Sequence, residues 1–305
     1  MRNFISEDDI EQVILEKLKA EPFKYDILIC DADPSKRDDL NDGTGRTSKK
    51  ECVLPDVMLS SLKRINPTIE EDKIKEIVKT LRQDYSGTDV VDTNYKLYRQ
   101  IRNNIKISIR RNGKEDFDFV KLIDFEHPEN NTFTAVSQMW IQGKVYYRRP
   151  DILIFINGMP LVFIELKNSI VKLEEAYNKN LKDYMRDIPN LFAFNQICVL
   201  SNGLETKLGA FNASYDYFFE WLKIDNEKEK PDREAILSAD SVKDSSVRYF
   251  VDGLLNKDRL IDYIENFILF ENQRIKIIAK NHQYLGVNNL MESVANRKEL
   301  NGKLG

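Results

Sequence analysis

The sequence predicts an α/β protein: a mixed central sheet flanked by helices, followed by a C-terminal helical segment. Three observations predict it. First, Ile152–Ile156 and residues 161–164 are short apolar runs on either side of Asn157-Gly158, the signature of a β-hairpin. Both runs are apolar at every position, so both faces of the sheet need cover, and helices supply it. Second, apolar residues recur at helical spacing early in the chain, at Ile10, Val13, Ile14 and Leu18 and again at Ile69, Ile74, Ile77, Val78 and Leu81. Third, Ile105, Ile107 and Ile109 alternate with Lys106, Ser108 and Arg110, a half-buried strand with a basic outer face.

The elements follow in order. Residues 6–20 read as a helix capped by Ser6, with Asp9 completing a box-like start. Residues 25–30 read as a strand. The polar stretch 31–50, with Pro34, Gly43 and Gly45, reads as a long loop. Residues 56–65 read as a helix that stops before Asn66-Pro67, and 68–83 as another. From about Asn94 to Tyr147 the period shifts towards two. Strands are expected around 105–110, 117–125, 133–141 and 144–147, with a turn at Asn112-Gly113. After the central hairpin, residues 173–186 read as a helix ending before Pro189, and 194–200 and 205–210 as strands around Asn202-Gly203. Residues 215–222 read as helical, and the charge run 225–232 as a solvated loop. Residues 260–270 and 275–294 read as helices with little strand signal. A domain boundary is placed near Phe250, giving a domain over 1–250 and a segment over 251–305 that packs separately or loosely.

The chain has 305 residues, 31% charged and 42% apolar, enough for a sizeable core in a soluble globular protein. No long uncharged apolar stretch predicts a membrane span, and acids follow the N-terminus where a signal sequence needs an apolar core. Cys30, Cys52 and Cys198 lie far apart and outside metal spacing. That fits a reducing, cytoplasmic setting and argues against zinc. His127 and His282 sit in no ligand or nucleophile pattern. The net charge of −4 does not advertise a nucleic-acid binder, but phosphate contact needs only a local basic groove.

The chemistry-bearing residues lie at the ends of the central hairpin. Asp151 opens one strand, and Glu165 and Lys167 close the other, two apart and therefore on one face. Two carboxylates there suit a hard cation such as Mg²⁺. An ammonium beside them suits the charge that develops on a phosphate. Asp151 follows Pro150, and the pattern resembles the PD-(D/E)xK nuclease motif. On spacing alone, a surface ion-pair cluster at the sheet end fits as well.

A longer resemblance narrows this. Residues 6–18, 62–67, Leu122-Ile123-Asp124-Phe125 with Asn130-Asn131-Thr132-Phe133, and 149–169 carry it. So do Phe194-Asn195-Gln196 with Ser201-Asn202-Gly203, and residues 267–294. Together they resemble the N-terminal part of the restriction subunit of type I restriction–modification enzymes, over nearly the whole chain. The resemblance implies a PD-(D/E)xK, restriction-endonuclease-like fold that cleaves double-stranded DNA with Mg²⁺, replaceable by Mn²⁺. It also implies a complex with modification and specificity subunits. Asp151 and Glu165 would be metal ligands and Lys167 the catalytic lysine. Glu11 would be the acid that the first helix aims at the metal, or else one solvated carboxylate among several. The family's Gln-x-x-x-Tyr is here Asn180-x-x-x-Tyr184. The amide is one methylene shorter, so either both residues reach the site or Tyr184 has an exposed or core role. Gln283 resembles an adenine-contacting glutamine, but no Gly-x-x-x-x-Gly-Lys-Ser/Thr occurs in the chain, and ATP is expected only in a full-length protein with a motor following Lys303-Leu304-Gly305. Arg148, Arg149 and Lys182 are the candidate DNA contacts. The alternatives are a free-standing DNA nuclease of the same chemistry and a non-catalytic DNA-binding or docking module.

The metal reading constrains the hairpin. A plain two-residue turn at Asn157-Gly158 sets Asp151 opposite Ile164 and turns Glu165 to the other face. Either a three-residue loop or a β-bulge near Asp151 is therefore required.

Overall fold

A computed structural model describes residues 4–111, 113–239 and 241–296. Asn112 of the expected turn and the Lys303-Leu304-Gly305 segment lie outside the described residues.

Helix α1 (Glu7–Lys19) starts as its sequence dictates: the Ser6 hydroxyl caps the Asp9 N–H and the Asp9 carboxylate returns to the Ser6 N–H. It buries Ile10, Ile14, Leu15 and Leu18. Strand β1 (Asp26–Ile29) and helices α2 (Pro55–Ile65) and α3 (Glu71–Leu81) follow as expected. The loop between β1 and α2 is pinned by a buried cluster in which Arg46 and Lys49 converge on Asp42 at 2.9 and 2.6 Å.

Helix α4 (Val90–Asn103) replaces the expected start of β-structure. Its buried stripe is Asn94, Leu97, Tyr98 and Ile101, a helical period that opens on an amide rather than a hydrocarbon. Asp89 caps it. Strands β2 (Ile105–Arg111) and β3 (Lys114–Val120) form a separate two-stranded ribbon. Next come β4 (Phe133–Ser137), the short pair β5 (Ile141–Gln142) and β6 (Tyr147–Arg148), and the central hairpin β7 (Ile152–Ile156) and β8 (Met159–Leu166). Helix α5 runs over 173–187 and contains a π-helical stretch, Ala176–Leu181. A short α6 (Pro189–Phe192), then β9 (Ile197–Ser201) and β10 (Thr206–Gly209), follow it.

The expected helix over 215–222 is a single tight turn, Tyr215–Tyr217, and then an edge strand, β11 (Phe219–Glu220), recruited by pairing with β10. The seven strands of the main sheet lie in the order β1-β4-β7-β8-β9-β10-β11. Pairs β1–β4 and β8–β9 are parallel and the others antiparallel, so the sheet is mixed. Side chains from one face, including Ile152, Ile154, Ile164 and Leu166, pack with α1 and α2. Leu153, Phe155 and Phe163 on the other face pack with α5 and α6.

The C-terminal segment departs from expectation in two ways. After α7 (Arg233–Leu237), α8 (Ser246–Leu254) and α9 (Lys257–Asn266) comes a hairpin of β12 (Ile268–Glu271) and β13 (Ile275–Ile278), and only then α10 (Asn281–Ala295). The segment is also integral to the body. Phe250, Val251, Leu254, Ile261 and Ile264 join the core of the first sheet face, and residue 250 falls inside α8. The hydroxyls of Tyr25 and Tyr98 donate to the Leu255 and Ile268 carbonyls, each at 2.8 Å. Buried Lys276 donates to Asn94 Oδ1, the Asn195 carbonyl and Gln196 Oε1 at 3.1, 2.6 and 2.7 Å. A lysine in a strand signals solvent in a sequence; here neutral acceptors satisfy it inside the core.

Candidate active site

The central hairpin turns at Asn157-Gly158 with both residues left-handed, φ 50° and 78°, the two-residue turn that Asn-Gly favours. Ile156 accordingly pairs with Met159 and Phe155 with Pro160. The next pair is Ile154 with Val162, so Leu161 is the extra residue of a β-bulge. Beyond it Ile152 pairs with Ile164, which brings Glu165 opposite Asp151. The bulge is the required device, but it sits near the turn rather than beside Asp151.

Alternation from Leu153 and Phe163 places Asp151, Glu165 and Lys167 together on the face that carries α5. Glu165 is 2% exposed, while Asp151 and Lys167 are half-buried. Asp151 Oδ2 accepts the Leu166 N–H at 2.7 Å. Lys167 Nζ donates to Glu165 Oε1 at 2.8 Å and to the Leu166 carbonyl at 2.7 Å. Glu165 Oε2 is buried and has no hydrogen-bond partner. Burial pushes the Asp151 carboxyl up to about 6 despite the Leu166 N–H and Lys167. Burial, then the Asp151 charge, push Glu165 up to about 8 against the pull of Lys167. Burial draws the Lys167 ammonium down, but Glu165 more than offsets it and holds the group above its ordinary value.

A buried carboxyl with an orphaned oxygen beside a half-buried one, both short of compensation for their charged forms, is an oxygen donor set that fits a hard divalent cation. Mg²⁺ commonly uses one or two carboxylates and keeps several waters. Among the described residues no group of three or more His, Cys, Asp or Glu side chains is arranged to hold a metal ion. Glu11 reaches the neighbouring strand end, and its charge adds to the upward pressure on Asp151. Its oxygens, however, are taken by Ser137 Oγ and by Gln138 Nε2, so it is not a third ligand in this arrangement.

The remaining sequence candidates separate. Tyr184 is buried, meets the Phe163 ring edge-on at 5.2 Å and donates to the Arg149 carbonyl at 2.9 Å. Burial first, and then Glu165, hold its phenol well above its ordinary value. Asn180 is half-buried within the π-helical stretch, a distortion that often marks functional sites. Arg148 is engaged by Asp187, at 2.5 Å, and by Asp183, at 3.4 Å. Arg149 donates to the Ala32 carbonyl and lies over Trp140. Lys182 is exposed and donates to Asn178. Gln283 accepts the Lys280 N–H at the start of α10, away from this cluster. Sequence reasoning missed Ser137 and Gln138. Two polar residues ending an otherwise buried strand were the available signal.

Fold and cluster define a class, an α/β protein with an acid–acid–lysine group gathered at the strand ends of a mixed sheet. The family described as type I restriction enzyme R protein N terminus matches residues 4–217, and the chain belongs to that family. It is 32% identical over 298 residues to the type I restriction enzyme HindI endonuclease subunit of Haemophilus influenzae, covering 95% of this chain and 27% of the relative. It is 31% identical over 262 residues to a Methanocaldococcus jannaschii protein named for a type I restriction enzyme MjaIXP endonuclease subunit, covering 79% of this chain and 24% of that one. The Escherichia coli type I restriction enzyme EcoprrI endonuclease subunit is 27% identical over 172 residues, 54% of this chain and 50% of that sequence. The chain thus spans about a quarter of the length of the first two relatives. Among the described residues no helix is long and apolar enough to cross a membrane.

Proposed function

We propose that this chain is the nuclease part of a type I restriction–modification enzyme, a PD-(D/E)xK fold that cleaves double-stranded DNA with Mg²⁺. The observation that carries the reading is the convergence of Asp151, Glu165 and Lys167 on one face, with Glu165 Oε2 buried and unpartnered. Asp151 and Glu165 would hold the cation. When bound, such an ion supplies charge neutralisation at the phosphate and a water of lowered pKa. Lys167 places a positive charge where the phosphate becomes more negative. Tyr184 packs behind the carboxylates and holds the Arg149 carbonyl, fixing the chain that leads into Asp151. Modification and specificity subunits would be the partners. ATP-driven DNA movement would belong to other parts of a longer protein, because this chain has no phosphate-binding loop and Gln283 serves as a helix cap.

One observation favours a second reading, a non-catalytic module that keeps the fold: Lys167 already closes an ion pair with Glu165. Mn²⁺ titration decides between them. Nuclease chemistry predicts binding that is lost in Asp151→Ala and Glu165→Ala, and loss of cleavage when either variant is assembled with the other subunits, ATP and Mg²⁺. Wild-type protein that takes up no Mn²⁺ supports the module instead.

A further inference from the structure

Gln138 lies outside the acid–acid–lysine pattern, yet four observations tie it to the same site. It follows the last residue of β4 with φ 58°, left-handed backbone at a residue that is not glycine. Such conformations persist where the surroundings over-determine them, and they concentrate at functional sites. Its N–H donates to the Asp151 carbonyl at 2.9 Å, so the strained residue is bonded directly to the residue that bears the first carboxylate. Its Nε2 donates to Glu11 Oε2 at 2.5 Å, while Ser137 Oγ holds the other Glu11 oxygen. Its Oε1 is buried and has no partner.

These facts belong together. An amide that gives its NH₂ to a carboxylate must turn its oxygen elsewhere. A buried acceptor left unpaired is costly unless a water or ligand takes it up. Glu165 Oε2 is a second buried, unpaired oxygen, on the strand paired with the Asp151 side of the hairpin. An ion that keeps several waters supplies the donors that both oxygens lack.

We propose that Gln138 is a positioning residue of the cation site. Its amide N–H fixes the Glu11 carboxylate beside Asp151, and its amide oxygen accepts a hydrogen bond from a water in the ion's shell. The proposal rests on the metal-binding reading above and adds the outer shell to it. Partners of this kind orient the ligands, and their loss typically costs roughly 10–100-fold in metal affinity.

The test is Mn²⁺ titration of EDTA-stripped protein, read by calorimetry and by the Mn²⁺ resonance signal, for wild type, Gln138→Met and Gln138→Gly. Both variants are expected to lose roughly 10–100-fold in affinity. Gln138→Gly relieves the left-handed backbone, so its Tm should stay at or above wild type while its affinity falls, a split that a merely structural role would not give. Glu11→Gln should lose a similar factor, and Gln138→Met with Glu11→Gln should lose no more than either alone, because the two act through one contact. If Gln138→Met does not fold, Gln138→Gly carries the test. Wild-type binding with unchanged affinity in the folded variants overturns this inference alone. Wild-type protein that binds no Mn²⁺ overturns the metal reading and this inference with it.

Discussion

Glu165→Gln isolates the electrostatics of the site from its shape. The Glu165 carboxyl is pushed up to about 8 by burial first and by Asp151 second. In the unfolded chain it titrates near its ordinary value of about 4.3. The native state therefore binds the extra proton between those values, and stability must fall as pH rises through that window. Its contribution is fully present below about pH 4 and lost by the time pH passes about 8. Between pH 5 and 8 the loss amounts to roughly 3 kcal/mol for this one group. For a chain of this size that is about 5 °C in Tm. Metal-free wild-type protein, melted in EDTA at a series of pH values, should lose about that much from pH 5 to 8 on account of Glu165. Glu165→Gln should match wild type near pH 5 and melt higher near pH 8, because the amide never has to ionise in the core. On the proposed metal reading, Mn²⁺ should raise the wild-type Tm most at high pH, where the two carboxyls are already ionised, and do little for the variant. Parallel Tm–pH curves for wild type and variant would refute the reasoning, since Glu165 would then be ionised as readily in the fold as in water.

Three further outcomes are expected. Lys167→Ala should retain fold and DNA binding but lower cleavage by the assembled enzyme roughly 10²–10³-fold, and a variant that cuts at the wild-type rate removes Lys167 from the chemistry. Gly158→Ala should cost about 1–3 kcal/mol, because φ is 78° and an added Cβ would lie 2.6 Å from the Leu54 carbonyl oxygen. A lowered urea midpoint at unchanged slope is the check, and an unchanged midpoint counts against it. Lys276→Met should destabilise by roughly 2–3 kcal/mol by stranding Asn94 Oδ1 and Gln196 Oε1, while the Asn195 carbonyl keeps the Asn94 amide; a neutral or stabilised variant means that the two stranded acceptors find water.

What was legible in the sequence was local or strongly periodic. The capping box of α1 and the Asn-Gly turn depend on neighbours within a few residues, the Asp–Glu–x–Lys spacing lies within one hairpin, and the structure brings that trio together. What was not legible depends on distant partners. Asn94 opens the buried stripe of α4 because its amide finds the carbonyls of Phe192, Ala193 and Asn195, and no short window of sequence holds those acceptors. Lys276 hides β13 within a stretch that reads as helix for the same reason. Arg148 reads as a free cation until Asp187 is placed against it from α5. Gln138 carries only the weak mark of a polar residue at the end of an apolar run, because its left-handed backbone is imposed by the fold around it.

The hairpin register shows how a local preference and a distant requirement are reconciled. Asn157 is more than a turn residue: buried, it donates to the Leu122 carbonyl and Asn131 Oδ1 and accepts the Thr132 N–H. Lengthening the turn would shift Asn157 and break those bonds, so the two-residue geometry is held from outside as well as by the Asn-Gly preference. That geometry alone would point Glu165 away from Asp151. The correction has to come later in the strand, and it comes one residue past Pro160, which has no N–H to lose where the ladder is interrupted. Leu161 is fully buried on the same side as Val162, so the bulge hides its extra side chain in the core of the first face. Three residues thus divide the work: Asn157 anchors the turn, Pro160 tolerates the break, and Leu161 resets the register. A chain lacking Leu161 would keep the turn chemistry and the apolar character of both strands, yet it would aim Glu165 and Lys167 into the hydrocarbon packed by α1. The site therefore depends on a residue that bears none of its chemistry.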